Sequence, residues 1–241
     1  MSLALKLALS PLLAAQALRT RLRAPALPEA AGPRRGSVGH GRPLRLLIVG
    51  DSSGAGVGVR TQDQALAGHL TRALARALPL QVQWQLVARS GITTAQALEL
   101  LQRERPDRAD VAVAVLGVND VIDQVPSQRA VQQRAALADW LLAHAGVRHV
   151  VFAPLPPMHE FPLLPQPLRW IVGSDARRHD AALARWAATR RDVSHVPIAM
   201  SLGADAMASD GFHPGEPVYR TCGEALARHI ATHLNPLETS Q

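Results

Sequence analysis

The chain has one cysteine, Cys222, in 241 residues. A single thiol excludes an intrachain disulfide and any zinc centre built from several thiolates of one chain. It does not settle the compartment. Aromatic residues are only 3% of the total, with one tyrosine, so the core must be built from Leu, Val, Ala and Ile. The same scarcity removes the stacking surface that nucleic-acid binding usually needs. Long apolar runs are missing too. The stretch from Leu3 to Leu18 is interrupted by Lys6, Ser10, Pro11 and Gln16, and a spanning helix needs about 20 predominantly apolar residues. Acidic residues are nearly absent from the first 45 positions, where Glu29 stands alone against eight basic residues. That excess equals the whole net charge of +7, and the remainder of the chain is formally neutral. The positive charge therefore belongs to an arm, and no nucleic-acid partner is expected for the domain.

What is present fits one globular domain plus an appendage: 241 residues at 47% hydrophobic content can bury one substantial core. Residues 1–43 read as an apolar, Arg-rich arm with a Pro/Gly/Ala/Arg-rich linker from about Ala24 to Pro43, and residues 44–241 as the domain. The arm has three readings. Lys6, a short apolar core and Ala15-Gln16-Ala17 resemble a signal peptide. Arg19, Arg21 and Arg23 directly afterwards favour retention on the cytoplasmic side. Leucines beside arginines also suit a peripheral anchor, with residues 1–35 touching an anionic membrane, or a helix packed on its own domain. The expected location is cytoplasmic, with membrane association, and export through the signal-like segment is the alternative.

The domain opens on Leu46-Leu47-Ile48-Val49-Gly50-Asp51-Ser52. This is a short buried strand that breaks sharply into small polar residues. Helical spacing over Gln62–Leu78 predicts a helix stopped by Pro79. Val82–Ala88 reads as a strand, Thr93 or Thr94 to about Gln102 as a helix, and Asp110–Leu116 as a third strand. Helix follows at Ser127–Ala145, strand at His149–Ala153, helix at Ser174–Arg191, a short strand near Val193–Val196, and a last helix at about Gly215–Leu234. Strands alternating with helices imply a parallel sheet covered on both faces. Right-handed crossovers then bring Gly50-Asp51-Ser52, Ser90-Gly91 and Gly117-Val118-Asn119-Asp120 to one edge. In open α/β sheets that edge binds ligands. Asp210-Gly211-Phe212-His213 precedes the last helix.

That set suits acyl transfer. A serine such as Ser52 needs a base within hydrogen-bond reach, and His213 can be that base. Asp210, three residues earlier, can fix the imidazole tautomer. The Ser52 N–H, the Gly91 N–H and the Asn119 carboxamide are candidate donors to the oxyanion that forms. Each residue also has a plainer role. Ser52 would serve as a helix cap, Gly91 as a turn, Asn119 as a cap, and Asp210 with His213 as a solvated loop.

The four blocks, in this order, resemble the SGNH hydrolase superfamily, the GDSL-type esterases and lipases. The resemblance spans Leu44 to the last helix and departs from the family name at Ser53, where leucine would stand. It implies a flavodoxin-like three-layer α/β/α sandwich with a central parallel sheet, and a serine hydrolase of carboxylic esters that needs neither metal nor cofactor. Carried over, it makes Ser52, Asp210 and His213 the triad and Ser52, Gly91 and Asn119 the oxyanion hole. Acyl transfer to a sugar or alcohol on the same site is one alternative. A non-catalytic membrane-peripheral binding module is another, and a nucleotide-binding domain a third. The Pro-rich loop from Ala153 to Trp170 is the expected substrate wall, with Met158, Phe161 and Leu163 as its apolar contacts for a small-molecule or lipid-like ester. Gly54-Ala55-Gly56-Val57-Gly58 misses the G-x-G-x-x-G spacing. His229 and His233 lack the H-E-x-x-H pattern and read as a solvated helix face.

Overall fold

The computed structural model describes residues 3–23 and 25–238. Its elements run α1 (Leu3–Arg23), β1 (Arg35–Val38), β2 (Arg42–Gly50), α2 (Ser52–Ala55), α3 (Leu66–Ala77), β3 (Leu80–Ala88), α4 (Thr94–Glu104), β4 (Val111–Val115), α5 (Val118–Ile122), α6 (Ser127–His144), β5 (His149–Phe152), α7 (Leu168–Ala187), β6 (Val193–His195) and α8 (Glu216–Glu238). The six strands form one sheet in the order β1-β3-β2-β4-β5-β6. Five of them are parallel, and β1 runs antiparallel on the β3 edge. Without β1 this is the flavodoxin order, whose switch point lies between β2 and β4.

Alternation along β2 explains the layers. Leu46 and Ile48 face one side, with Leu66, Leu70 and Leu74 of α3 and Leu226 and Ile230 of α8. Leu47 and Val49 face the other, with Leu101 of α4, Leu137 and Leu141 of α6 and Leu183 of α7. Successive side chains of a strand point to opposite faces, so an unbroken apolar run is what a sheet covered on both sides requires. Thr93 starts α4 through a capping box with Gln96, which satisfies two otherwise orphaned backbone donors.

Two expectations change. The stretch read as a linker contributes β1 and the start of β2, so residue 44 lies inside a strand. Ala31 also forms a bridge with Thr61. Its Pro and Gly content hid a four-residue edge strand with no apolar period. The helix expected from Ser174 begins at Leu168, immediately after Pro167. Proline at the N-cap supplies a start signal that the apolar spacing alone did not. Arm helix α1 lies against α7, where Gln16 Nε2 donates to the Gln166 carbonyl at 2.7 Å and the Leu168 N–H donates to Gln16 Oε1 at 3.2 Å. Among the described residues, no helix is long and apolar enough to cross a membrane.

Candidate active site

Gly50 ends β2 because the chain must turn tightly there. A Cβ on Gly50 would fall 2.6 Å from the Gly54 Cα. Asp51 then caps α2, its Oδ1 accepting from the Ser53 N–H at 3.0 Å. Asp51 is 2% exposed. Burial pushes its pKa up to about 7; the Ser53 N–H opposes the rise and the nearby Asp120 adds to it. Ser52 follows, half-buried at the carboxyl edge of the sheet, and lines a cleft with His213.

The 210–213 turn orients the imidazole. Asp210 Oδ1 accepts from the N–H groups of Phe212 and His213, both at 2.9 Å. Its Oδ2 accepts from His213 Nδ1–H at 2.5 Å. This fixes the tautomer: Nδ1 carries the proton and Nε2 keeps its lone pair. Burial raises the Asp210 pKa, but the His213 side chain, the two backbone N–H groups and the imidazole charge outweigh it. The net result is a carboxyl below its ordinary value, held ionised at neutral pH.

Gly91 stands exposed after β3 at φ +79°, with open space around its Cβ position. Its turn is held by the segment that sequence reading treated as a linker. Glu29 Oε1 accepts from the Ser90 N–H at 2.7 Å and the Ser90 hydroxyl at 2.9 Å. Arg34 bridges Glu29 to the Ala88 carbonyl. Asn119 lies in the first turn of α5, at the end of β4. Its Nδ2 donates to the Ile92 carbonyl at 2.9 Å, which uses one amide hydrogen and leaves the second.

Asp120 and Arg134 lie beneath this loop, and sequence reasoning gave them no role. Asp120 accepts from the Thr94 N–H at 2.9 Å, the Thr94 hydroxyl at 2.6 Å and Arg134 Nη2 at 3.2 Å. Both members of the ion pair are fully buried. Burial lowers the Arg134 pKa, against the pull of Asp120, Asp180 and Asp51. Gly117 is glycine for the same reason: at φ +132°, a Cβ would stand 2.2 Å from Arg134 Nη2. The G-x-N-D block thus carries its own buried anchor. The signal available in the sequence was Asp120, a second acid directly after Asn119.

The cleft encloses about 690 Å3, part of it open to solvent. Phe161 of the expected substrate loop lines it, and its ring meets Phe212 edge-on at 5.1 Å. Met158 does not fill the expected role: it is fully buried in the core, inside a 3₁₀ turn. Leu163 is tied by its backbone, its N–H donating to the Gly211 carbonyl at 3.0 Å. Ala153, Pro154 and Pro156 of the same loop line it too, and Met200, Leu202, Met207, Val218, Cys222 and Leu226 extend the apolar wall. Helix α8 and the segment before it carry the latter residues at ordinary core spacing, which sequence cannot distinguish from packing. Burial pushes the Cys222 thiol up to about 12, so it is an apolar wall residue and not a nucleophile.

The class that fold and site define is a flavodoxin-like α/β hydrolase with its polar cluster at the switch point. The sequence matches the model of the GDSL-like Lipase/Acylhydrolase family over residues 48–221, and the chain belongs to that family. It is a carboxylic ester hydrolase. Comparison with curated proteins returned no match. Solved structures of the same fold include the lipase Lip_vut3 from a goat rumen metagenome, with TM-score 0.62, 19% identity, and coverage of 78% of this chain and 97% of that one. A G-D-S-L lipolytic protein from Veillonella parvula gives TM-score 0.60 at 14% identity, covering 77% and 97%. A mutant of Axe2, an acetyl-xylooligosaccharide esterase from Geobacillus, gives 0.57 at 18%, covering 80% and 95%.

Proposed function

We propose that the chain cleaves carboxylic esters through an acyl-enzyme on Ser52, with His213 as general base and Asp210 as its orienting acid. The bonded Asp210–His213 pair on a cleft also lined by Ser52 carries this reading. Ser52 Oγ attacks the ester carbonyl while His213 Nε2 takes its proton. The tetrahedral oxyanion is received by the N–H groups of Ser52 and Gly91 and by the remaining Asn119 amide hydrogen. His213 returns the proton to the departing alkoxide, so the first product leaves as an alcohol. Water, deprotonated by the same imidazole, then releases the acid and regenerates Ser52. The acyl chain lies against Met200, Val218, Cys222 and Leu226, whose apolar character suits an acyl group longer than acetyl.

The test is labelling by a fluorophosphonate probe together with turnover of p-nitrophenyl esters. Both must be present in wild type and absent in Ser52→Ala, with turnover lost in His213→Ala. Turnover that survives Ser52→Ala refutes the mechanism. The arm supports a second element of the reading. Leu12, Leu18 and Leu22 of α1 and Trp170 of α7 are exposed, as is Arg19, and this combination suits the interface of an anionic membrane on its cytoplasmic side. Removal of residues 1–23 should abolish salt-sensitive binding to anionic vesicles. The cut must stop before Glu29 and Arg34, which brace the Ser90–Gly91 turn.

A further inference from the structure

A second cluster of chemistry-bearing side chains lies at the opposite edge of the sheet. His149 opens β5 and registers with Val111 of β4, which registers with Leu46 of β2, four residues before Gly50. The cleft begins beyond the other end of these strands. His229 and His233 stand four residues apart on α8, on one face of the helix. One ligand nitrogen from each of the three lies within 4.8 Å of the other two. The rings of His229 and His233 are 4.2 Å apart, and those of His149 and His233 are 5.2 Å apart.

We infer that His149, His229 and His233 form a binding site for one divalent transition-metal ion of the zinc type, separate from the catalytic cleft. Hydrogen bonding prepares the rings for it. The His233 Nδ1–H donates to the His229 carbonyl at 3.1 Å, leaving Nε2 with its lone pair. A ring nitrogen held by a backbone carbonyl while the other is free is the usual arrangement of a metal-bound histidine. Ser194 Oγ lies 3.0 Å from His149 Nε2 and 2.8 Å from His229 Nε2. One hydroxyl proton serves only one of these nitrogens, and two of the three rings already converge on one polar point. Burial and the neighbouring imidazoles push His229 down to about 4, and burial with His233 lowers His149.

Tetrahedral zinc with nitrogen at 2.0–2.1 Å sets its ligands about 3.4 Å apart, so closure needs a contraction of at most about 1.4 Å, within reach of side-chain rotation. Imidazole donors select zinc, nickel and copper over magnesium and calcium. His233 is exposed, which provides the route of access and leaves a fourth position for water. A bound ion would join α8 to the start of β5.

The experiment is calorimetric titration of ZnCl2 into the chelator-treated full chain at neutral pH, with MgCl2 in parallel, on wild type, His233→Ala, His229→Ala and His213→Ala. The expected result is one Zn2+ per chain, a rise in Tm on binding, no response to Mg2+, and affinity at least tenfold weaker in His233→Ala. His213→Ala should bind as wild type does. His233 is exposed, so its replacement leaves the fold intact, as circular dichroism will verify. Absence of stoichiometric Zn2+ binding to wild type overturns the inference. So does binding that survives both His233→Ala and His229→Ala, or that is lost in His213→Ala.

Discussion

Replacing Arg134 by methionine tests whether the buried ion pair holds the G-x-N-D loop. Arg134 and Asp120 are both 0% exposed and meet at 3.2 Å. Methionine keeps much of the volume but leaves the Asp120 carboxyl buried without its cation, with the Thr94 N–H and hydroxyl as its remaining donors. Breaking a buried pair from one side costs about 3–5 kcal/mol. At roughly 2–4 °C per kcal/mol for a chain of this size, Tm falls by about 6–20 °C. The double variant Arg134→Met/Asp120→Asn separates the charge from the packing. Asparagine is neutral, still accepts from the Thr94 N–H, and can donate to the Thr94 hydroxyl. It should recover most of the loss, because removing both charges avoids stranding either one. Arg134 Nε and Nη1 have no hydrogen-bond partner among the described residues, so the arginine is an incompletely satisfied group whose joint removal is tolerable. Urea unfolding of wild type, Arg134→Met, Asp120→Asn and the double variant at neutral pH gives the cycle. A single variant within about 1 kcal/mol of wild type, or a double variant no more stable than Arg134→Met, refutes the reasoning.

Asp51 predicts a pH effect of a definite sign. Its folded pKa of about 7 lies above the ordinary carboxylate value, so its favourable contribution is complete below about pH 4 and is lost as pH rises through 7. Asp51→Asn, which keeps the bond from the Ser53 N–H, should be more stable than wild type above pH 7, and the difference should vanish in acid when unfolding is followed across pH. Asn119→Ala should lower kcat by about 10²–10³ with little change in KM for a p-nitrophenyl ester, as expected for a donor used mainly in the transition state. Cys222→Phe fills the apolar wall. If it excludes two methylenes at about 0.8 kcal/mol each, kcat/KM for a long acyl ester falls roughly fifteenfold while the acetate ester is unaffected. Tyr219→Phe removes the 2.6 Å bond from its hydroxyl to the Val57 carbonyl. Stability should fall by about 1–3 kcal/mol in urea, because a buried acceptor is left unpaired.

Much of this was legible because sheet geometry converts sequence position into spatial position. Val111, Val113 and Val115 show a strand, and Gly117 to Asp120 directly after it must stand at the same edge as Ser52. The Asp210–His213 pairing was equally readable, since three residues in one turn permit it. The edge strand β1 was not legible, because Arg35-Gly36-Ser37-Val38 has no buried face to impose a period. The lining of the cleft was only partly legible, for a related reason. A Pro-rich loop looks like a substrate wall and a helix looks like core. Here Met158 serves the core, while Val218, Cys222 and Leu226 of α8 serve the cleft. Arg134 was hidden because an arginine within a helix reads as solvated, and only Gly117 and Asp120 in three dimensions show that it is enclosed.

Ser52 and His213 reach the same cleft through packing rather than through the sheet. Ser52 is fixed to β2, but His213 lies between β6 and α8, on a turn that no strand pairing reaches. The seating of α8 on α3 brings that turn to the cleft. The Tyr219 hydroxyl reaches Val57 in the turn after Ser52, and Glu216 at the start of α8 meets Gln64 and His69. Gly58 admits the approach, since a Cβ there would stand 2.2 Å from the Pro214 carbonyl oxygen, one residue beyond His213. The small residues after Ser52 therefore do more than ease the turn into α2, for they form the floor against which the His213 turn rests. On this account the glycine run that fails as a nucleotide fingerprint has a structural purpose in the same site, and its spacing is set by Pro214 rather than by a phosphate.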